Sequence, residues 1–222
     1  MENGSYSVYF DNTSHGEDAY LSRIISDTSS LDIVLDGASC VGGSKASKLA
    51  HKVLTEQKIT NKQDLIDAME YINGELFTEE KNKKSITTLT ACLKEGNDLY
   101  TLNLGDSPAW IFKDNKLEEL TTLDDNPYMP NIITNAVGHK EKLKYHEKSS
   151  KLYPGDKLII MSDGISDNLP EEEILKILQR AKSPEIATAR LKEILKRRKI
   201  ADKGHIYDSF KKDDMTAIVR YF

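Results

Sequence analysis

The length, composition and charge of this chain exclude several classes of protein. Its 222 residues, 38% apolar and 30% charged, match an ordinary soluble protein that can bury a substantial core. The net charge of −5 argues against a broad nucleic-acid-binding surface. No apolar run approaches the ~20 residues that span a bilayer, and no signal peptide is expected. The two cysteines, Cys40 and Cys92, make no disulfide framework, which is typical of a cytoplasmic protein. Taken together, these features predict a monomer that binds neither nucleic acid nor a membrane.

Three strands are predicted near the start of the chain. Residues 5–10 and 20–25 carry strand-like runs, and an apolar, β-branched run over 31–35 follows a short turn. Short turns between such runs favour antiparallel pairing. The third run ends at Asp36-Gly37, which puts one carboxylate at the end of a buried strand, where binding and catalytic groups concentrate.

Two helices are predicted next, and a series of strands follows them. Ser44 is the predicted N-cap of the first helix, whose apolar stripe runs to Leu54. Asn61 begins the second helix, which has an apolar face that reaches Phe77. The pattern then changes to the period of a β-strand. The predicted strands, joined by turns, are residues 86–93, 99–104, 109–113 and 117–120.

The C-terminal part of the chain combines a long loop with strands and helices. Residues 123–138 form a predicted loop that is either a functional flap or disordered. The predicted elements after it are strands at 142–152, 157–162 and 215–221 and helices at 170–181 and 184–198. Many antiparallel strands with two pairs of helices favour one α+β domain, with the sheets inside and the helices outside.

Acidic residues stand at the ends of the predicted elements with unusual regularity. They are Glu17, Asp18, Asp36, Asp106, Asp163, Asp167, Asp213 and Asp214. Any one of them fits ordinary turn chemistry. Brought together at one edge of the sheets, they could not all stay ionised without a counter-cation. Because all-oxygen ligands select hard cations such as Mg²⁺, Mn²⁺ or Ca²⁺, the sequence predicts a metal site wherever these ends converge.

Six motifs, in this order, resemble the metal-dependent type 2C protein phosphatases. They are Glu17-Asp18-Ala19; Val34-Leu35-Asp36-Gly37 with Gly42-Gly43; Thr87-Thr88-Leu89-Thr90; Leu104-Gly105-Asp106-Ser107-Pro108-Ala109; Met161-Ser162-Asp163-Gly164-Ile165-Ser166-Asp167; and Asp213-Asp214-Met215-Thr216. The resemblance covers nearly the whole chain, so residues 1–222 are expected to form one domain of that kind. It implies an α+β fold, a four-layer α-β-β-α sandwich with two central antiparallel sheets flanked by helix pairs.

The resemblance also implies an activity and a set of site residues. It implies a phosphatase that hydrolyses phosphoserine and phosphothreonine in a phosphorylated protein, using two or three Mn²⁺ or Mg²⁺ ions. Asp36 matches a carboxylate that bridges two metals, and Asp163 and Asp213 match further ligands. These three are the expected catalytic residues, acting through a metal-activated water that attacks phosphorus in line. The Gly37 carbonyl and Glu17 match further ligands of the two metals. Asp106 and Asp167, together with Asp163, match a weaker third-metal site.

Two positions depart from the family pattern. Asp214 stands where members usually have Asn, so it is the less expected ligand of its pair. Thr13 stands where members usually have the Arg that holds the substrate phosphate, and the nearest other arginine, Arg23, lies on the far part of a strand. The phosphate-binding candidates that remain are the metals, His15, Lys45 and Lys48, although His15 is also explained as a plain turn residue.

Two other functions are compatible with parts of the sequence. Residues 37–44 lie between a strand and a helix and nearly match a phosphate-binding P-loop. However, Gly43 stands where the P-loop needs lysine, and the antiparallel pattern argues against a nucleotide-binding parallel sheet. A partner-binding protein of the same fold without activity is favoured by the missing arginine. It is opposed by Asp36, Asp163 and Asp213, since idle carboxylates would only repel one another.

Overall fold

The computed structural model describes residues 1–39, 42–78, 84–126, 128, 133–202 and 210–222. The strands are β1 Ser5–Asp11, β2 Asp18–Ser26, β3 Ser29–Asp36, β4 Leu89–Glu95, β5 Asp98–Leu104, β6 Ala109–Lys113, β7 Lys116–Glu119, β8 His146–Lys151, β9 Lys157–Met161 and β10 Met215–Tyr221. The helices are α1 Gly43–Glu56, α2 Lys62–Leu76, α3 Asp163–Ser166, α4 Glu171–Arg180 and α5 Pro184–Asp202. Cys40, together with part of the loop predicted at 123–138, lies outside the described residues.

Two antiparallel sheets form the centre of the fold. Sheet A has the strand order β1-β10-β9-β6-β7, and sheet B has the order β2-β3-β4-β5-β8. The sheets pack against each other around a shared cluster that includes Val34, Ile111 and Ile218. Helices α1 and α2 share a second apolar cluster with sheet B, and α4 and α5 share a third with sheet A. The predicted α-β-β-α sandwich is therefore confirmed.

The helices of the described ranges pack against these sheets through one face. Within those ranges, no helix combines the length and the apolar character needed to cross a membrane. Their apolar residues are instead buried against the strands, as Leu54 and Leu65 are in the cluster of sheet B. This burial is what holds the outer layers on the sandwich.

The start of α1 differs from the prediction. Ser44 is not the N-cap: the helix begins at Gly43, and Gly42, with a φ of 74°, is the N-cap without any side-chain hydrogen bond. A Cβ added to Gly37 would lie 2.4 Å from the carbonyl carbon of Gly43. A Cβ added to Gly43 would lie 2.3 Å from that of Gly37. Since the two backbones are in direct contact, this approach fixes where the helix starts.

The first two strands belong to different sheets. β2 pairs antiparallel with β3, as their short turn predicts, but β1 pairs with β10 at the other end of the chain. Residues 12–17 therefore connect the edge strand of sheet A to the edge strand of sheet B. An alternating pattern identifies a strand but not the strand that it pairs with. The assignment of β1 and β2 to different sheets could therefore not be predicted from the pattern.

Two elements beside the site also differ from the prediction. The strand predicted at 86–93 begins only at Leu89, because Thr87 forms an isolated bridge to Gly37. The strand predicted at 157–162 ends at Met161, and Asp163 and Gly164 begin the short helix α3. Both differences place side chains at the end of the sheets where acidic residues gather.

A buried ion pair joins the two sheets. Arg220 of β10 and Asp32 of β3 are 0% and 1% exposed. The guanidinium donates to the two carboxylate oxygens of Asp32 at 2.6 and 2.8 Å. It also donates to the Asn3 carbonyl at 3.0 Å and to the Ser22 hydroxyl at 3.1 Å. Both charges are therefore paired and hydrogen-bonded inside the sandwich, as buried charges must be.

Candidate metal centre

Five carboxylates from different elements converge at one end of the two sheets. Asp18 begins β2 and pairs with Asp36 at the end of β3. Asp106 follows β5, Asp163 begins α3, and Asp213 precedes β10. The charges of the other four all act on Asp36. The structure thus brings together the three residues expected to be catalytic. It adds Asp18, which the sequence analysis counted among the acidic element ends but not among the expected ligands.

These carboxylates disfavour one another's ionised form. Burial, followed by the charges of Asp163, Asp18 and their neighbours, raises the pKa of Asp36 well above its ordinary value. Burial raises the pKa of Asp18 to about 7, despite hydrogen bonds from two hydroxyl groups. Burial and the charge of Asp163 raise the pKa of Asp106 to about 7. Without a cation, the centre therefore holds more negative charge than its surroundings stabilise.

The metal-free protein is expected to be less stable at about pH 8 than at about pH 5.5. Asp18 and Asp106 keep their protons up to a pKa of about 7 when folded, against an ordinary value of 3.8. Between these values the folded state binds more protons than the unfolded state, so the free energy of unfolding falls as the pH rises. Thermal unfolding in chelator, followed by circular dichroism at both pH values, measures the effect.

Two variants test the origin of this pH dependence. Asp18→Asn should reduce it and leave the part that comes from Asp106, because the amide at position 18 carries no charge at either pH. Asp98→Asn, on an exposed hairpin, should leave it unchanged. A metal-free midpoint that is equal at both pH values, or higher at the higher pH, would contradict the expectation.

Asp36 is held in place by two threonines of the segment before β4. The Asp36 amide donates to Thr88 Oγ1 at 3.0 Å, and the Thr88 amide donates to the Asp36 carbonyl at 2.7 Å. Thr87 Oγ1 donates to the same carbonyl at 3.0 Å. The hydroxyls of Thr88 and Ser107 are 2.9 Å apart, which links this support to the segment after Asp106. The end of β3 is therefore fixed by the two threonines, and Ser107 in turn contacts Thr88.

Gly164 allows Asp163 to approach Asp213. A Cβ at position 164 would lie 2.0 Å from the carbonyl oxygen of Asp214 and 3.1 Å from Cβ of Asp213. A side chain at this position would push α3 away from the segment that precedes β10. Glycine is therefore required here by the close passage of two backbones.

Asp214 positions the turn between β1 and β2. It is 1% exposed. Its Oδ1 accepts from the amides of Ser14 at 2.9 Å and His15 at 3.1 Å, and its Oδ2 accepts from the Glu17 amide at 2.8 Å. Ligand atoms of His15, Asp213 and Asp214 lie within 4.8 Å of one another, but both oxygens of Asp214 are already bonded to amides. Its contacts are those of a residue that places Glu17 and His15.

Lys211 is a site residue that the sequence analysis missed. Its Nζ contacts Asp163 Oδ2, lies 3.0 Å from Asp167 Oδ2 and lies 3.8 Å from Asp213 Oδ2. A lysine two residues before Asp213 is the one signal in the sequence, and surface lysines are too common for that signal to be specific. The ammonium supplies part of the positive charge that the carboxylates need.

The predicted phosphate-binding residues differ in their distance from the cluster. His15 is 42% exposed, and its Nδ1 lies 3.1 Å from Asp213 Oδ1. Lys45 is exposed on the first turn of α1. Thr13, at the position of the expected Arg, donates to Asp11 Oδ1 at 2.6 Å. Of these residues, His15 is the one for which the described contacts include a carboxylate of the cluster.

Arg23 has a different task from the missing Arg. Its guanidinium donates to the carbonyls of Leu54 at 3.4 Å, Gln57 at 3.3 Å and Ile59 at 3.4 Å. These carbonyls lie at and beyond the end of α1, where helices leave acceptors without partners. Arg23 therefore stabilises the C-terminal end of α1 and does not face the carboxylate cluster.

The described part of the predicted flap is tied to the loop that carries Asp106. Asp124 Oδ2 accepts from the Gly105 amide at 3.1 Å and from Asn135 Nδ2 at 3.0 Å. Asp124 Oδ1 lies 3.0 Å from His146 Nε2 of β8. The two ends of the flap are therefore anchored to each other and to the edge of the site.

The residues of the centre fit a divalent cation. In the part of the chain that the structure describes, Asp106 Oδ1 and Asp163 Oδ1 are buried without a hydrogen-bond partner. A buried carboxylate oxygen without a hydrogen-bond donor lowers the stability of the fold unless a cation binds it. The groups that converge here are mainly carboxylates, whose oxygens select hard cations such as Mn²⁺ and Mg²⁺.

A family model and curated proteins both match the chain. The family model described as Stage II sporulation protein E (SpoIIE) matches residues 43–221. The serine/threonine protein phosphatase PstP of Mycobacterium tuberculosis is 31% identical over 119 residues, which cover 46% of this chain and 22% of PstP. The protein phosphatase PTC7 homolog fig of Drosophila grimshawi is 26% identical over 191 residues, which cover 74% of this chain and 61% of that protein. The chain therefore spans less than two thirds of either relative.

Solved structures share the fold over almost the whole chain. PppA, a regulatory component of the T6SS in Pseudomonas aeruginosa, has a TM-score of 0.80 at 21% identity, covering 98% of this chain and 97% of that one. The catalytic domain of PstP in complex with 2 manganese ions has a TM-score of 0.76 at 23% identity, covering 98% of this chain and 97% of that one. At these identities the likeness establishes the fold.

Proposed function

This chain belongs to the SpoIIE family of type 2C phosphatase-like domains, and from that membership we propose that it is a metal-dependent phosphatase of phosphoserine and phosphothreonine. The observation that supports the proposal most strongly is the convergence of Asp36, Asp163 and Asp213 beside a buried oxygen of Asp163 that has no described donor. The substrate in this proposal is a phosphorylated protein, and residues 1–222 act as one domain.

The chain would hold the cations through oxygen atoms alone. Asp36, the Gly37 carbonyl, Asp163 and Asp213 would form the inner set of ligands. Glu17, Asp106 and Asp167 are the other candidate ligands. When bound, two Mn²⁺ or Mg²⁺ ions would make a water molecule acidic enough to attack phosphorus in line and would offset the charge of the phosphoryl oxygens.

The described residues supply no reactive thiol for a covalent mechanism. Cys92 is buried, and burial raises the pKa of its thiol to about 12. A thiol that stays protonated is a poor nucleophile. Cys92 is therefore not a candidate for the nucleophile of a cysteine-based phosphatase.

His15 is the residue that we propose to contact the substrate phosphate in place of the missing Arg. Its exposed ring stands at the rim of the cluster, and the Asp213 carboxylate orients it. Asp214 fixes its backbone amide, so the ring is carried by a constrained turn. An imidazole in this place can donate a hydrogen bond to a phosphate oxygen. Lys45, on the first turn of α1, is the second candidate.

The proposal predicts hydrolysis of p-nitrophenyl phosphate and of a phosphothreonine peptide that depends on added Mn²⁺. Chelator should abolish both activities, and renewed Mn²⁺ should restore them, because the oxygen ligands are the same in both reactions. Release of nitrophenol and of inorganic phosphate measures the two reactions.

The possible results separate the candidate functions. Full activity in the presence of chelator would contradict a metal-dependent mechanism. Bound Mn²⁺ without hydrolysis of either substrate would favour the inactive, partner-binding alternative. Among the described residues, nothing supports the nucleotide-binding alternative, since the strand pairs of both sheets are antiparallel.

A further inference from the structure

Lys211 extends from the segment before β10 into the carboxylate cluster. Building on the proposed function, we propose that Lys211 is a permanent internal cation of this centre, so that the centre binds two divalent cations and not three. From the sequence alone, the number stays open between two and three. The contacts of Lys211 are what decide between them.

These contacts divide the oxygens of Asp163 between two cations. Lys211 Nζ contacts Asp163 Oδ2 and lies 3.0 Å from Asp167 Oδ2. The other oxygen, Asp163 Oδ1, is buried and has no hydrogen-bond partner among the described residues. One oxygen of Asp163 is therefore neutralised by lysine while the other remains for a metal. Both cations can be bound at the same time, so metal binding does not require Lys211 to leave.

The backbone of Lys211 is fixed by Asn168, just beyond α3. The Lys211 amide donates to Asn168 Oδ1 at 2.9 Å, and Asn168 Nδ2 donates to the Lys211 carbonyl at 2.9 Å. The same Nδ2 lies 2.8 Å from the Gly164 carbonyl, and Arg198 donates to the Asn168 carbonyl. Asn168 is 5% exposed. Lys211 is thus bound to the helix that carries Asp163, and its position is part of the fold.

The electrostatics of the site favour lysine here and disfavour a third metal. The Lys211 ammonium contacts Asp163 Oδ2, lies 3.0 Å from Asp167 Oδ2 and lies 3.8 Å from Asp213 Oδ2. Three carboxylates therefore surround one positive charge. A divalent cation beside it would meet a like charge and would find Asp163 Oδ2 and Asp167 already engaged.

The test is the number of Mn²⁺ ions bound per chain, counted by equilibrium dialysis with elemental analysis. The natural protein should bind two, and Lys211→Gln should bind three, because the substitution frees two carboxylate oxygens. Lys211→Arg keeps the charge and should bind two. Lys212→Gln, at the exposed neighbouring position, makes the same change in net charge and should also bind two.

A second readout does not depend on metal. In chelator, Lys211→Gln should unfold at a lower temperature than Lys212→Gln, because it removes the cation that offsets Asp163 and Asp167. Native mass spectrometry of protein purified with Mn²⁺ throughout gives the same count without a metal-free step. A variant that needs metal to fold therefore remains informative.

The outcomes separate this proposal from the proposed function. Two ions bound both to the natural protein and to Lys211→Gln, or three bound to the natural protein, would overturn the role of Lys211 and leave the proposed function intact. No Mn²⁺ bound to the natural protein at millimolar metal would overturn the proposed function, and the role of Lys211 with it.

Discussion

Asp36→Asn is expected to lower the metal-dependent hydrolysis of a phosphate ester by about 10³-fold. Asp36 lies at the centre of the cluster, where four other carboxylates act on it. Thr87 and Thr88 hold its backbone, so the substitution changes charge with little change in shape. The loss follows from weaker cation binding and from a misplaced attacking water. Values of kcat/KM over a range of Mn²⁺ concentrations measure it.

The same substitution should stabilise the metal-free protein. Burial and like charges raise the pKa of Asp36 well above its ordinary value, so an ionised Asp36 opposes folding and a neutral Asn does not. A higher unfolding temperature in chelator at about pH 8, together with lost activity, distinguishes a site defect from a damaged fold. Asp98→Asn, 64% exposed, should change neither quantity. Activity of Asp36→Asn within a few-fold of the natural protein would refute the assignment.

Local signals in the sequence were sufficient where a few neighbouring residues decide the structure. Helix α2 begins directly after Asn61, where the prediction places its start, and Asn61 is its N-cap because the side chain accepts from the Asp64 amide. The turn predicted between the strands at 109–113 and 117–120 is confirmed, with φ values of 49° at Asp114 and 61° at Asn115. Asp36 and Asp163 could be assigned to one region because each ends an apolar strand of a central sheet. In each case the deciding pattern lies within a few neighbouring residues of the sequence.

Contacts between distant parts of the chain explain what the sequence did not reveal. Ser44 has the right chemistry for an N-cap, but the approach of Gly37 to Gly43 decides where the helix starts. Asp214 resembles a spare ligand in the sequence, yet it binds three amides about 200 positions away. In the sequence nothing distinguishes Lys211 from the other lysines, because its contacts with Asp163 and Asp167 form only when the chain folds. The hydrophobic periodicity of a sequence identifies the buried face and the ends of a helix or strand. It does not identify which distant residues that element contacts.

Asp32→Asn should lower the free energy of unfolding by about 3–5 kcal/mol, because it leaves the charge of Arg220 buried without its counter-ion. The pair is 0% and 1% exposed and connects β10 of sheet A with β3 of sheet B. Water cannot replace the lost carboxylate charge in that environment. Urea unfolding in saturating Mn²⁺, followed by circular dichroism, measures the change while the metal centre stays occupied.

Two further variants distinguish two causes of the instability of Asp32→Asn. One cause is the unpaired charge of Arg220, and the other is the loss of a net stabilising ion pair. Breaking the exposed pair between Lys151 and Asp98 with Asp98→Asn should change the free energy of unfolding by about 0–1 kcal/mol, because solvent screens both charges. Replacing both buried partners, as Asp32→Leu with Arg220→Met, should recover much of the stability lost in Asp32→Asn, because no unpaired charge remains. If the double variant is less stable than Asp32→Asn, the ion pair itself stabilises the contact between the sheets. A loss below about 1 kcal/mol in Asp32→Asn would show that the guanidinium finds another partner, with the Asn3 carbonyl and the Ser22 hydroxyl already at its edge.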